Sequence, residues 1–488
     1  MAAFRKYYII CLLFLCCFSK SWCQPAARIA FTTNTATPRF TRPDTLPKPL
    51  PFVINEIFIS GNKKTKAYTI TRELPFKKGD TVYLAELVAS FQRSKELLIN
   101  TRLFNEVIVS LKGFHGYRVD IQIDVQERWY IFPVPYFRPI DRNLAAWAEK
   151  DYSLSRVNYG VKFLHSNFTG RNDRLRMWLI TGYTRQIQLN YDQPAADKSL
   201  RHGYGFGLLY SALKEINIST NNNLQTFVST ETHGHTGKYL FKQATATLNY
   251  FYRPALTTRH LLRLGITYIR TDSAVAAINP KYLSNGVQQV FYPELSYTLE
   301  YQKVDYVAYV LRGFMGDLNF THRGINSSMN LSQFTGRFTN GWPLGRQFYF
   351  GLQGYGVLKL PLVQPYFNQR LFGYGDIYLR GLEKYVVDGV AGGMLRCTLR
   401  KHLYSFNING GRLPTLQRIP FAFYAKVFGD TGYAYNQVYY QNSLVNRMLY
   451  TAGAGIDIVS AYDFVFRCEY SFNQLGQPGL FFHIRNDF

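Results

Sequence analysis

Two periodicities divide this chain. Between residues 52 and 130 both are present. Leu84, Leu87, Val88, Phe91 and Leu98 follow the i, i+3, i+4, i+7 spacing of one helix face. Val119, Ile121, Ile123 and Val125 alternate with Asp120, Gln122, Asp124 and Gln126, the pattern of a half-buried strand. Val53 to Ile59 predicts a further strand and Ser60-Gly61-Asn62 a turn. Lys66 to Glu73 predicts a short helix broken at Pro75 and Gly79, and Phe104 to Leu111 a strand. The order is strand, helix, helix, strand, strand, a compact α+β unit.

From about residue 150 to the end the helical rhythm disappears. Leu262, Leu264, Ile266 and Tyr268 share one face, with Arg263, Gly265 and Thr267 between them. Phe464, Phe466, Cys468, Tyr470 and Phe472 alternate with Val465, Arg467, Glu469 and Ser471. Leu480, Phe482, Ile484 and Phe488 alternate with Phe481, His483, Arg485 and Asp487, and Asn486 breaks the outer face once. A soluble antiparallel sheet gives the same alternation, so the connections must discriminate. Short turns at Val459 to Asp463 and Gln302 to Asp305 contrast with longer loops such as Thr271 to Gln288. One short side and one long side is the habit of a membrane barrel. Sixteen strands fit residues 151–488 at roughly 21 residues per strand and connection, room for the ~9–11 that cross a bilayer. The expected fold is mainly β: a C-terminal 16-stranded antiparallel transmembrane β-barrel at 150–488, preceded by a small α+β domain at 52–130.

Composition agrees with that division. The 488 residues include 38 Tyr and 38 Phe, 17% aromatic in all, yet the mean hydropathy is slightly negative. Many rings on a mildly polar chain suit alternating faces with aromatics at an interface. Residues 1–23 have the form of a signal peptide: Arg5 and Lys6, an apolar run from Ile9 to Phe18, and a cleavage site at Ser21-Trp22-Cys23. The run is too short to span, and bulky Trp22 argues against the alternative, lipidation at Cys23. Residues 24–51 are a Pro-rich linker. Beyond the signal segment only Cys397 and Cys468 remain, which gives neither a disulfide framework nor metal-ligand spacing. No apolar stretch after residue 23 reaches spanning length, so a membrane would be crossed by strands. The net charge of +25 is scattered without a basic run, which points to a basic lumen or anionic headgroups and not to nucleic acid.

The chemistry-bearing sequences are few. Phe428-Gly429-Asp430-Thr431-Gly432 contains Asp-Thr-Gly, the core of an aspartic-protease site, but that chemistry needs two carboxylates sharing a proton and the chain holds no second copy. His233-Gly234-His235 has no acidic or cysteine cluster in support of a metal. There is no Gly-x-Ser-x-Gly elbow, no P-loop and no His-Glu-x-x-His. Neither catalysis, nor a metal, nor a cofactor is expected.

Three features of the first unit stand together: Ile57-Phe58-Ile59-Ser60-Gly61-Asn62, Thr101-Arg102-Leu103-Phe104 and Val125-Gln126-Glu127-Arg128, in that element order. They resemble a single POTRA domain, the periplasmic module of outer-membrane assembly barrels. Leu379-Arg380-Gly381-Leu382, inside a long insertion at about 363–392, resembles the Val-Arg-Gly-Phe/Tyr motif of the inward-folded loop in the BamA/TamA-type superfamily, the bacterial surface antigen family. Leu replaces both the Val and the aromatic residue; Arg and Gly are kept. Phe428, Asp430 and Gly432 match the Phe-x-Asp-x-Gly strand that receives the arginine, and Phe482, Ile484 and terminal Phe488 resemble the C-terminal barrel signal.

The resemblance implies a protein of the outer membrane of a Gram-negative bacterium, with its POTRA domain in the periplasm. It would assemble, insert or translocate client polypeptides, outer-membrane or secreted. Outer-membrane lipid and periplasmic chaperones or lipoproteins are the other implied partners. The barrel would close by pairing Val157 to Phe168 with Gly479 to Phe488, and a frayed seam would template client strands. Arg380 and Asp430 would tether the loop tip. The alternatives are a porin-like channel, which has no use for residues 52–130, and a two-partner secretion pore, which usually carries two POTRA units and a plug helix.

Overall fold

The computed structural model describes residues 51–140, 151–231, 239–326, 329–410, 418–437 and 442–485. The expected signal peptide (1–23), the linker short of Pro51, His233-Gly234-His235 and Phe488 lie outside those residues.

The α+β unit comprises β1 (Pro51–Ser60), α1 (Ala67–Thr71), β2 (Thr81–Tyr83), α2 (Leu84–Asn100), β3 (Phe104–His115) and β4 (Arg118–Glu127). Its sheet runs β2-β1-β4-β3, with β1 parallel to β4. Leu87, Leu98 and, partly, Phe91 of α2 pack on Ile121, Ile123 and Val125, so the alternating strand and the helical stripe form one core. Two residues of the predicted stripe are instead exposed: Leu84, the first residue of the helix, and Val88, which a step of about 100° from Leu87 carries off the buried face. Helix α1 stops at Thr71 and frees Glu73 to point elsewhere. Gly61 turns the chain out of β1 at φ +83, and a Cβ there would stand 1.9 Å from the Val125 carbonyl oxygen. Gly61→Ala is therefore expected to destabilise this unit by roughly 1–3 kcal/mol, the cost of a strained left-handed residue. The check is faster proteolysis confined to residues 52–128 of the full chain.

The large sheet opens with β5 (Ile131–Pro139), β6 (Val157–Ser166), β7 (Arg174–Gly182), β8 (Arg185–Gln193) and β9 (His202–Leu213). A separate hairpin follows, β10 (Glu215–Asn221) and β11 (Leu224–Ser229). The sheet resumes with β12 (Phe241–Tyr252), β13 (Thr258–Thr271), β14 (Gln289–Val304), β15 (Gly313–Asn326), β16 (Met329–Gly345) and β17 (Phe348–Leu360). Two short strands, β18 (Arg370–Phe372) and β19 (Val387–Asp388), pair inside the next loop. The sheet ends with β20 (Ala391–Asn409), β21 (Arg418–Tyr435), β22 (Met448–Ser460), β23 (Val465–Asn473) and β24 (Pro478–Arg485). Sixteen strands run in one antiparallel order from β5 to β24.

Two expectations need correction. The sheet starts at Ile131, not near residue 150, so Val157–Ser166 is its second strand and β5 its first. Pro133, Pro135 and Pro139 masked β5 in the sequence, since proline argues against a strand except at an edge. The turn placed at Gln302 to Asp305 lies one step later, at 305–312, because β14 runs on to Val304. The outward faces are as predicted. Leu262, Leu264, Ile266 and Tyr268 are exposed, as are Leu480, Phe482 and Ile484. Cys397 and Cys468 are free thiols on β20 and β23.

The loop between β17 and β20 folds into the sheet's concave side. Tyr366 is fully buried with Tyr282, Ile218 and Met329, and its hydroxyl shares a 2.8 Å hydrogen bond with Thr220 on β10. The hairpin β10–β11 and this loop thus support one another. The predicted inward loop at 363–392 is present, its last two residues already belonging to β20.

Candidate functional site: loop tip, rim and seam

Arg380 sits at the tip of the inward loop and Asp430 on the concave face of β21. The Arg380 backbone N–H and its Nε donate to Asp430 Oδ2 at 3.0 and 2.9 Å, and Nη2 donates to Oδ1. Nη1 donates to Thr398 Oγ1 at 3.0 Å, and the guanidinium lies 4.0 Å from the centroid of the Phe428 ring. Both charged side chains are buried, 9% and 0% exposed. A planar fork matched to a carboxylate gives direction as well as attraction.

The alternation of β21 explains the rest of the receiving motif. Phe428, Asp430 and Gly432 share one face, and each meets a different part of the tip. Phe428 lies under the guanidinium, Asp430 accepts from it, and Gly432 leaves space for Leu379, whose Cδ2 would be 3.3 Å from a Cβ there. Leu379 and Leu382 are buried with Met394, Leu444 and Leu449. Gly381 holds φ +91, where a Cβ would press on Ser471 at 2.9 Å. Gly432→Val is expected to push Leu379 out of its socket and weaken the tether by about 1–3 kcal/mol, the usual cost of overpacking. Protease access at 379–382 would report it.

Beside this pair lies a network that sequence reasoning missed. The Gly381 N–H donates to Glu383 at 2.7 Å, and Asn473 Nδ2 donates to the Gly381 carbonyl at 2.7 Å. His483 on β24 stacks on Tyr378 with centroids 5.2 Å apart and stands 3.4 Å from Glu383 and 3.5 Å from Glu469. Lys426 on β21 bridges Asp457 on β22 and Glu469 on β23. Alternation alone would have set Lys426, Asp457, Glu469 and His483 on the inward face; only the strand register brings them together. Glu383, Glu469 and His483 are the described residues whose ligand atoms converge, within 4.8 Å. Glu469 is also held by Lys426 at 2.6 Å.

The α+β unit is bolted to one rim of the sheet. Arg253, after β12, clasps Glu73 bidentately at 2.5 and 2.7 Å, with both groups buried. Burial pushes the Glu73 carboxyl up, but Arg253 outweighs it and holds the group below the usual glutamate range. Arg128 donates to Asp463 in the β22–β23 turn at 3.0 and 3.2 Å, where Tyr306 also donates. Burial again opposes and Arg128 again prevails, so Asp463 is held low. The Asn100 amide bonds the 304–307 backbone, Lys66 N–H donates to the Gly170 carbonyl at 3.0 Å, and Asn167 bonds Thr65. The unit therefore reaches turns from the first third, the middle and the last part of the sheet. None of this was legible in the sequence.

At the seam, no ladder joins β5 to β24 among the described residues. The strand bases are tied indirectly: Trp129 N–H donates to the Tyr462 hydroxyl at 3.2 Å, and Phe132 meets the Tyr462 ring edge-on.

Residues 52–128 match the family described as POTRA, surface antigen variable number repeat. CdiB from Escherichia coli is similar in structure, with a TM-score of 0.50 at 13% identity over 89% of this chain and 75% of that one. BamA from Haemophilus ducreyi lacking POTRA domains 1–3 gives a TM-score of 0.48 at 16% identity, covering 89% of this chain and 84% of the other. CdiB from Acinetobacter baumannii gives 0.48 at 13% identity over 89% and 73%. No curated protein matches this chain. The family match bears on residues 52–128, and the likeness to CdiB from Escherichia coli shows a shared barrel fold.

Proposed function

We propose that this chain, a POTRA domain joined to a sixteen-stranded barrel, is an outer-membrane protein that assembles, inserts or translocates client polypeptides. The observation that carries the proposal is the POTRA domain docked across the barrel rim through Glu73–Arg253 and Arg128–Asp463. A simple solute pore has no need of such a unit at its mouth. In this reading the POTRA domain faces the periplasm, and outer-membrane lipid surrounds the exposed apolar faces. Client segments are bound as extended strands by backbone pairing, which is indifferent to sequence and needs no nucleotide, cofactor or catalytic group. Periplasmic chaperones or lipoproteins would deliver the clients. Asp430, with both oxygens engaged by Arg380, acts as a fixed acceptor and transfers no proton.

The test is deletion of residues 52–128 in cells, with quantification of the outer-membrane and secreted proteomes. Loss of one or more barrel or secreted proteins is expected. Unchanged levels of all of them, together with lost solute uptake, would return the protein to the porin-like class.

A further inference from the structure

Glu383, Glu469 and His483 come from three places: the inward loop just past its tip, strand β23 and strand β24. One ligand atom of each lies within 4.8 Å of the other two. His483 Nε2 stands 3.4 Å from Glu383 Oε1 and 3.5 Å from Glu469 Oε2. These separations are long for hydrogen bonds, and Glu383 Oε1 and His483 Nε2 are both buried atoms without a hydrogen-bond partner. Ligand atoms held at ~2.0–2.1 Å by a tetrahedral Zn²⁺ stand ~3.4 Å apart, which matches both separations.

The far side of each group is held by a neighbour. Glu383 Oε2 accepts from the Gly381 N–H at 2.7 Å, Glu469 Oε1 faces Lys426 Nζ at 2.6 Å, and His483 Nδ1 lies 3.3 Å from the Tyr378 hydroxyl. Outer atoms fixed in this way, with inner atoms turned to one point, are what orients ligands around a metal. When Nδ1 carries the imidazole proton, the Nε2 lone pair faces two carboxylates, and these groups repel unless a cation stands between them. The opposite tautomer would donate from Nε2 across distances too long to satisfy either oxygen. Side-chain exposures of 13% for Glu383 and 21% for His483 leave an ion a route from the concave side. Two cations stand nearby: Lys426, and Arg467, which lies opposite His483 in the ladder. They weigh against hard ions such as Mg²⁺ and Ca²⁺, which take oxygen ligands, whereas an imidazole nitrogen favours a borderline ion.

We infer that Glu383, Glu469 and His483 bind one divalent transition-metal ion of the Zn²⁺ class, which staples the inward loop to the last two strands of the barrel. The ion forms a second, reversible tether beside Arg380–Asp430. That pair ties the loop tip to β21; the metal ties it to β23 and β24. The site stands independently of the client-handling function proposed above.

The experiment uses the untagged full-length protein in lipid nanodiscs, stripped with a chelator and titrated with Zn²⁺ by calorimetry. Co²⁺ in its place reports the coordination geometry through its visible absorption. One ion per chain is expected, with the spectrum of tetrahedral Co²⁺. His483→Ala and Glu383→Gln should each weaken Zn²⁺ binding at least about 100-fold, since loss of a direct ligand exceeds the ~10–100-fold effect of losing an outer partner. Zn²⁺ at about ten times its Kd should slow protease cleavage at 379–382 about tenfold in the unaltered protein and leave His483→Ala unaffected. Failure of the unaltered protein to bind Zn²⁺, Co²⁺ or Ni²⁺ overturns the site and leaves a histidinium between two carboxylates, whatever the variants do. Undiminished binding in either folded variant places the ion elsewhere and overturns the assignment. Glu383→Gln, on a loop outside the sheet ladder, keeps this arm open if His483→Ala does not fold. Binding at the site without protection of the loop overturns the staple.

Discussion

Asp430→Asn is expected to release the loop tip and, under the proposed function, to abolish most client assembly while barrel abundance stays close to normal. The carboxylate receives the Arg380 backbone N–H, Nε and Nη2 at once. An amide cannot offer two charged acceptor oxygens, and it leaves a guanidinium buried without its counter-ion. Breaking a buried pair on one side costs ~3–5 kcal/mol, between about a hundred- and a few-thousand-fold in the tethered population. Arg396, 3.8 Å from the same carboxylate, worsens the outcome by adding a second cation beside the first. The barrel ladder involves none of these side chains, which is why abundance should hold. Arg380→Ala should behave alike, and Arg380→Lys should not rescue, because an ammonium cannot reproduce the planar fork. The readouts are outer-membrane levels of the variant, client levels in the same cells and protease cleavage at 379–382. Normal assembly and full complementation by both Asp430→Asn and Arg380→Ala would remove the tether from the mechanism.

Arg253→Ala is expected to loosen the POTRA domain from the rim by about 3 kcal/mol, the low end for a broken buried pair, since Arg72 remains 3.5 Å from Glu73. Hydrogen exchange in full-length protein should rise at residues 64–73 and 253–257. Acid should act the same way. The Glu73 and Asp463 carboxyls are both held below their ordinary values when docked, so the docked state binds fewer protons than the free one. Their contribution is therefore complete above the ordinary values of 4.5 and 3.8 and fades as pH falls through the lowered ones. Protection at these segments, taken relative to the intrinsic exchange rate at each pH, should fall between about pH 4 and the lowest pH the barrel tolerates, and less so in Arg253→Ala. Protection that does not change with acid would mean that the shape of the interface, not its ion pairs, holds the domain.

Much of the site was legible because its parts lie on strands whose two-residue period dictates facing. Phe428, Asp430 and Gly432 fall on one face of any strand, and resemblance to the family's motifs implied that the arginine-glycine tip of the long insertion meets them. The roles of Thr398 and Leu379 were not legible, since they depend on which strands β21 pairs with and how deep the tip reaches. The rim contacts were invisible for the same reason: Glu73 reads as a helix end and Arg253 as a turn cation, 180 residues apart. Strand β5 was not visible in the sequence because proline argues against a strand everywhere except at an unpaired edge, and edges exist only in the assembled sheet.

The sequence by itself determined most of the kinds of element and, on the strands it made visible, which residues face inward and which outward, because local periodicity suffices for those. The POTRA unit and the Arg380–Asp430 pairing were implied by resemblance to known motifs. The tertiary structure alone decided that β5 opens the barrel and that the POTRA domain is clasped to the rim. Each of these depends on the phase of a hydrogen-bond ladder or on burial between distant segments, and neither exists until neighbouring strands have chosen their register.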